Sequence, residues 1–121
     1  MYICFMKQNS QLFKGSLNTI ILKLLTENDK MYGYEITKKV KEISNGNLEL
    51  TEGALYPALH KLEADGMLDV TIENIGNRNR KYYTLTKKGK KETTFKLNEV
   101  ADFINQMQQI LNLKLAHNGT K

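Results

Sequence analysis

The sequence predicts a mainly α-helical chain with one small β-hairpin, and three observations lead there. Apolar residues recur every three or four positions through residues 17–62. They then alternate singly with polar ones from residue 68 to residue 85. Helical spacing returns from residue 97. Three short helices, a hairpin and a long final helix account for these stretches in order.

The first helix is carried by Leu17, Ile20, Ile21, Leu24 and Leu25, with Ser16 as its expected N-cap. The second follows Met31-Tyr32-Gly33 and aligns Ile36, Val40 and Ile43. Asn45-Gly46-Asn47 stops it, because Gly and Asn tolerate the left-handed C-terminal turn. The third starts at Thr51, a good N-cap, with Glu52 favourable at the positive helix end. Its apolar side is Leu55, Leu59 and Leu62, and Asp65-Gly66 closes it. Pro57 lies inside it and removes one hydrogen bond, but the residue four back is Gly53, which adjusts most easily. A kinked, continuous helix is expected, with termination at Tyr56 as the alternative.

The hairpin follows. Leu68, Val70 and Ile72 alternate with Asp69, Thr71 and Glu73, and Lys81, Tyr83 and Leu85 with Arg80, Tyr82 and Thr84. Residues 74–79 between them are expected to form a six-residue basic tip. Helix, helix, helix, hairpin is the order of a winged helix-turn-helix. Thr86 caps the last helix, in which Leu97, Val100, Ile104, Met107 and Leu111 form a heptad seam widened by Phe103 and Ile110. Two heptads are too few for a free coiled coil, so the stripe packs on its own domain or against a second copy. The second copy is preferred, which makes these seven residues the expected homodimer contact. The expected organisation is an N-terminal arm and winged helix over 1–86, a dimerisation helix over 87–113 and a flexible tail over 114–121.

The 121 residues suit one domain, and 18 basic against 13 acidic residues give a net charge of +5. Residues 1–66 balance to zero, so the whole excess lies in the second half, and residues 78–91 hold seven cations and no acid. Such an excess suits a polyanionic partner. The single Cys4 excludes an internal disulfide and points to a cytoplasmic protein. One Cys with the distant His60 and His117 supplies no familiar zinc site. No stretch approaches the roughly 20 apolar residues of a membrane span. No Ser-His-acid set or Gly-rich phosphate loop is present, so neither an enzyme nor a cofactor is expected.

Double-stranded DNA is the partner that the charge pattern favours. Both arginines of the chain, Arg78 and Arg80, fall in the wing, where their planar forks suit phosphate and the minor groove. Two solvated loop arginines are the plainer reading. Lys87, Lys88, Lys90 and Lys91 crowd a helix N-terminus, where cations oppose the dipole and phosphate would explain the exception. The third helix exposes Gly53, Ala54, Pro57, His60 and Lys61, small or donor residues that permit close approach to base edges. Thr51 and Lys81 complete this contact set. Tyr34, Lys38 and Tyr56 are expected to hold phosphates, although each tyrosine could equally be a core residue with its hydroxyl at the surface. A protein-interaction module with a basic wing is the alternative function.

The run Thr51-Glu52-Gly53-Ala54-Leu55-Tyr56-Pro57-Ala58-Leu59, with Leu62-Glu63 and Gly66-Met67-Leu68, resembles the signature helix of PadR-type transcriptional regulators. Tyr32-Gly33-Tyr34-Glu35-Ile36, residues 80–89 and the leader at 11–17 resemble that family's other hallmarks, so the likeness covers roughly residues 11–113. The resemblance implies a homodimeric bacterial repressor of the short branch, with one C-terminal dimerisation helix, bound to a pseudo-palindromic operator. His60 and Lys61 stand where the family often has Arg. Some short relatives hold flat aromatic ligands with an interface tryptophan. This chain has no Trp and carries only Phe103 on its seam, where a core role is the plainer reading, so the resemblance offers a small aromatic effector without identifying one.

Overall fold

The computed structural model describes residues 11–114, and the expected arm at 1–6 and the tail beyond 114 lie outside them. Helix α1 spans Gln11–Glu27, strand β1 Met31–Tyr32, α2 Gly33–Ile43 and α3 Glu52–Ala64. Strands β2 (Leu68–Ile75) and β3 (Arg78–Leu85) form the wing, and α4 spans Lys87–Leu111. This is the winged-helix order that the periods predict, with one strand added and one helix lengthened.

Helix α1 already runs at Gln11, so Ser16 is an interior residue and not its N-cap. Phe13 explains the earlier start. It is buried four residues before Leu17 and extends the apolar stripe upstream by one turn. Leu22 is also fully buried, which makes α1 the central helix of the core. Ile36 and Val40 of α2 are buried as expected, but Ile43 is 66% exposed because the core ends before the last turn of α2. A left-handed Asn45 terminates that helix, with the Gly46 N–H bonded to the Lys41 carbonyl at 2.8 Å.

Helix α3 runs unbroken through Pro57, so the helix does not stop at Tyr56. Leu55, Leu59 and Leu62 are buried on one side. Its C-terminus closes in the same manner. Gly66 has φ +80°, and Met67 N–H bonds the Leu62 carbonyl at 2.9 Å.

The sheet has three antiparallel strands in the order β1-β3-β2. Pairing of β2 with β3 continues from Leu68↔Leu85 to Ile75↔Arg78. The expected six-residue tip is therefore a two-residue turn, Gly76-Asn77, with the positive φ on its glycine, as a tight hairpin of this hand needs. Arg78 and Arg80 are strand residues, held in register, and not loop residues. Ile72 is 62% exposed although its alternation predicted an inward face, because the outer half of the wing projects past the core.

The junction of α3, the wing base and α4 is tightly joined. The Thr86 hydroxyl donates to the Gly66 carbonyl at 2.6 Å and accepts from the Gly89 N–H at 3.0 Å, which caps α4. Gly89 is buried against the Met67 carbonyl, where a Cβ would collide. Beyond Val100 the apolar residues of α4 are exposed, apart from a half-buried Met107.

Candidate nucleic-acid interface

Three elements converge at the N-terminus of α3. Thr51 accepts the Ala54 N–H at 3.3 Å and so fixes where the helix begins. Gly53, Pro57, His60 and Lys61 are exposed, while Ala54 is half-buried. A Cβ at Gly53 would meet nothing nearer than the Thr51 hydroxyl at 3.9 Å, so this face is open to close approach. Lys61 pairs with Asp65 at 3.5 Å, a surface pair of small energy that a phosphate could replace.

The wing faces this helix end across a groove of about 580 Å³. Tyr32, Tyr34, Tyr56, Arg78, Arg80 and Lys81 are among the residues that line it. Six ion pairs are present among the described residues, and none engages Arg78, Arg80 or Lys81. Glu52 is the one carboxylate in the lining. Three uncompensated cations thus lie beside a helix N-terminus, which itself attracts anions. Tyr34, 58% exposed, also borders a neighbouring groove with Lys38 and Thr51. No carboxylate pairs with Lys38 either, whereas Lys39 pairs with Glu42 and Lys41 with Glu49.

The two tyrosines separate here. Tyr34 keeps its ring in the open. Tyr56 is half-buried and rests its hydroxyl end on Gly33, where a side chain of any size would overlap it. It seats α3 on the start of α2 while also lining the groove. The α4 lysines are a correction. Lys88 donates to the Asp65 carbonyl at 2.8 Å, at the C-terminus of α3 where a cation is favourable. Lys90 lines a separate cavity with Lys30, Thr84 and Thr93. Neither belongs to the groove at the start of α3, so one cluster in sequence serves two places in space.

Sequence reasoning missed Tyr32 and Asn79 in this groove. Tyr32 sits on a two-residue strand, too short to show an alternation. Its ring meets Tyr82 edge-on at 5.4 Å and lies under the Arg80 guanidinium at 4.3 Å.

The seam of α4 divides in two. Leu97 and Val100 are half-buried beside Ile20, Leu24 and Ile43 in an apolar groove of about 440 Å³ between α1 and α4. Phe103, Ile104, Ile110 and Leu111 are 55%, 48%, 71% and 57% exposed, and Met107 is half-buried. The seam therefore begins on its own domain and, among the described residues, continues without a cover. No helix among the described residues is long and apolar enough to cross a membrane, and no trio of metal-type side chains gathers among them.

Residues 21–94 match the family model described as the transcriptional regulator PadR-like family. The chain belongs to the PadR-like family. That family is one of regulators rather than enzymes. A transcriptional regulator from Clostridium thermocellum is 30% identical, with 85% of this chain and 96% of that one aligned at a TM-score of 0.73. A PadR family transcription regulator from Clostridium difficile is 33% identical over 80% of this chain and 99% of its own, at a TM-score of 0.70. Bacillus subtilis PadR, solved in complex with operator DNA, is 33% identical over 67% of this chain and 46% of its own, at a TM-score of 0.61. The PadR-like match covers the signature helix, its glycine seat and the whole wing, and ends in the first turns of α4.

Proposed function

We propose that this PadR-like regulator is a cytoplasmic, sequence-specific DNA-binding repressor that works as a homodimer. The observation that carries the reading is the groove in which Arg78, Arg80 and Lys81, all without carboxylate partners, face the N-terminal half of α3. The open face of Gly53, Pro57, His60 and Lys61 enters a major groove. The wing lies on the flanking backbone or in the minor groove, and Tyr34 and Lys38 hold phosphate beside Thr51. The operator complex of Bacillus subtilis PadR supports this reading.

A single winged helix reads a short half-site, so two copies must present two α3 helices about one DNA turn apart, ~34–36 Å, on a pseudo-palindromic operator. The bare apolar part of the α4 seam, from Phe103 and Ile104 to Ile110 and Leu111, supports pairing through this helix. The division of labour is then a DNA-reading body through residue 86 and a dimerisation helix over 87–113. Release by a small aromatic molecule completes the proposal at the level of the family.

The experiment is a binding titration of the chain on its own upstream DNA at two salt concentrations. If a dimer neutralises ~6–10 phosphates, affinity falls about 10³–10⁵-fold between 50 and 200 mM salt. Arg78→Ala with Arg80→Ala should weaken specific and random DNA alike and lower the salt slope by about one for each phosphate left without its arginine. A flat salt response, or no preference over random DNA, returns the wing to a protein-interaction surface.

A further inference from the structure

Two groups compete for the charge of Arg80. Glu73 stands directly across the hairpin from it in the β2–β3 register. A cross-strand carboxylate is the ordinary partner of a strand arginine. Glu73 instead bonds Lys30, whose ammonium also lies 4.7 Å above the Tyr82 ring. Arg80 is left to Tyr32, with its guanidinium 4.3 Å from the ring centroid.

Tyr32 is a fixed platform. Its backbone pairs with Tyr82, its N–H donates to the Glu35 carboxylate at 3.1 Å, and its ring is flanked by Tyr82 at 5.4 Å and Tyr34 at 6.5 Å. The mode of contact decides what Arg80 can do next. A guanidinium over a ring face keeps its charge and gives up no donor to a carboxylate. A carboxylate would take two of the donors and cancel the charge.

We propose that Lys30 and Tyr32 are positioning residues of the wing: Lys30 occupies Glu73, Tyr32 carries the guanidinium, and Arg80 is thereby presented to the DNA backbone unpaired and in one orientation. The proposal rests on the reading of Arg80 as a DNA contact, and its test separates the two.

The test measures fluorescence anisotropy of labelled upstream DNA with the full chain, alongside the melting temperature of each variant. Arg80→Ala addresses the underlying reading, and wild-type binding by that variant removes the reading and the proposal together. Given a loss there, Tyr32→Leu should weaken binding about two- to fivefold. It should cost nothing further in the Arg80→Ala chain. Tyr32→Phe, which keeps the ring, should recover most of that loss. Lys30→Met frees Glu73 for Arg80, so the salt slope should fall by about one per protomer. Adding Glu73→Gln should restore slope and affinity, by much more than Glu73→Gln gains in the wild-type chain. The proposal is overturned if Lys30→Met and Glu73→Gln act additively. It is equally overturned if Tyr32→Leu costs the same with and without Arg80.

Discussion

Gly33 gives the sharpest link between packing and the binding surface. It is buried at the start of α2 with no positive φ, so nothing in its backbone requires glycine. What requires it is Tyr56. A Cβ at Gly33 would overlap the Tyr56 hydroxyl and approach its Cζ to 2.9 Å and its Cε1 to 3.3 Å. Ordinary carbon contacts lie at about 3.5–4.0 Å, so the ring or the backbone must move. Such overpacking costs about 1–3 kcal/mol, against a gain of at most ~1 kcal/mol from alanine's helix propensity. Gly33→Ala should therefore lose about 1–2 kcal/mol, which for a domain near this size lowers the melting temperature by several degrees, at about 4–8 °C per kcal/mol. Affinity for DNA should fall as well, because the displaced ring seats the N-terminal half of α3. Thermal and urea unfolding followed by circular dichroism measure the first effect and anisotropy the second. The decisive control is sign. In a Tyr56→Ala chain the same Gly33→Ala change should stabilise, by a few tenths to ~1 kcal/mol. If Gly33→Ala stabilises the wild type, or costs the same in both chains, the argument from Tyr56 is refuted.

Further consequences are directly measurable. Gly89→Ala drives a Cβ into the Met67 carbonyl, a backbone group already bonded to Thr86 N–H at 3.0 Å that cannot swing aside, so it should cost about 3 kcal/mol in urea unfolding and exceed Gly33→Ala. The Tyr83 hydroxyl is buried without a hydrogen-bond partner among the described residues, so Tyr83→Phe should be at least as stable as the wild type and up to about 1 kcal/mol more so. Burial first, then Tyr56 and Glu63, push the Tyr83 phenol above the usual tyrosine value. The unfolded chain therefore ionises first, stability falls as pH rises through about 10, and Tyr83→Phe should lack that part of the alkaline loss. Ile104→Lys would place a charge in the proposed helix pairing, at a cost of several kcal/mol, and should scatter light as a folded monomer while Asn105→Lys stays dimeric. A dimeric Ile104→Lys chain would disprove the seam.

The local features were legible because each is written in neighbouring residues. Helix starts at Thr51 and Thr86, the stops at Asn45-Gly46 and Asp65-Gly66, the inward leucines of α3 and the alternation of the wing all depend on residue type and local spacing. Spacing misled where it could not reveal depth. Ile43 and Ile72 keep the right period, yet lie past the edge of the core, and Phe13 extends α1 beyond a serine that looks like a cap. The four lysines at 87–91 looked like one anion-binding site, although Lys88 reaches back to the C-terminus of α3 and Lys90 lines a separate cavity.

By itself, then, the sequence determined a winged helix with its charge in the wing and an apolar seam in the last helix. It also carried a family signature, which the PadR-like match over residues 21–94 bears out. Only the tertiary structure decided which cations stay uncompensated, because ion pairing depends on residues far apart in the chain. Lys30 and Glu73 are 43 positions apart and meet only when β1 joins the sheet beside β3. Strand β1 has two residues, and two residues carry no period. The contacts that hold Arg80 over Tyr32 were therefore set by through-space packing that no local pattern records.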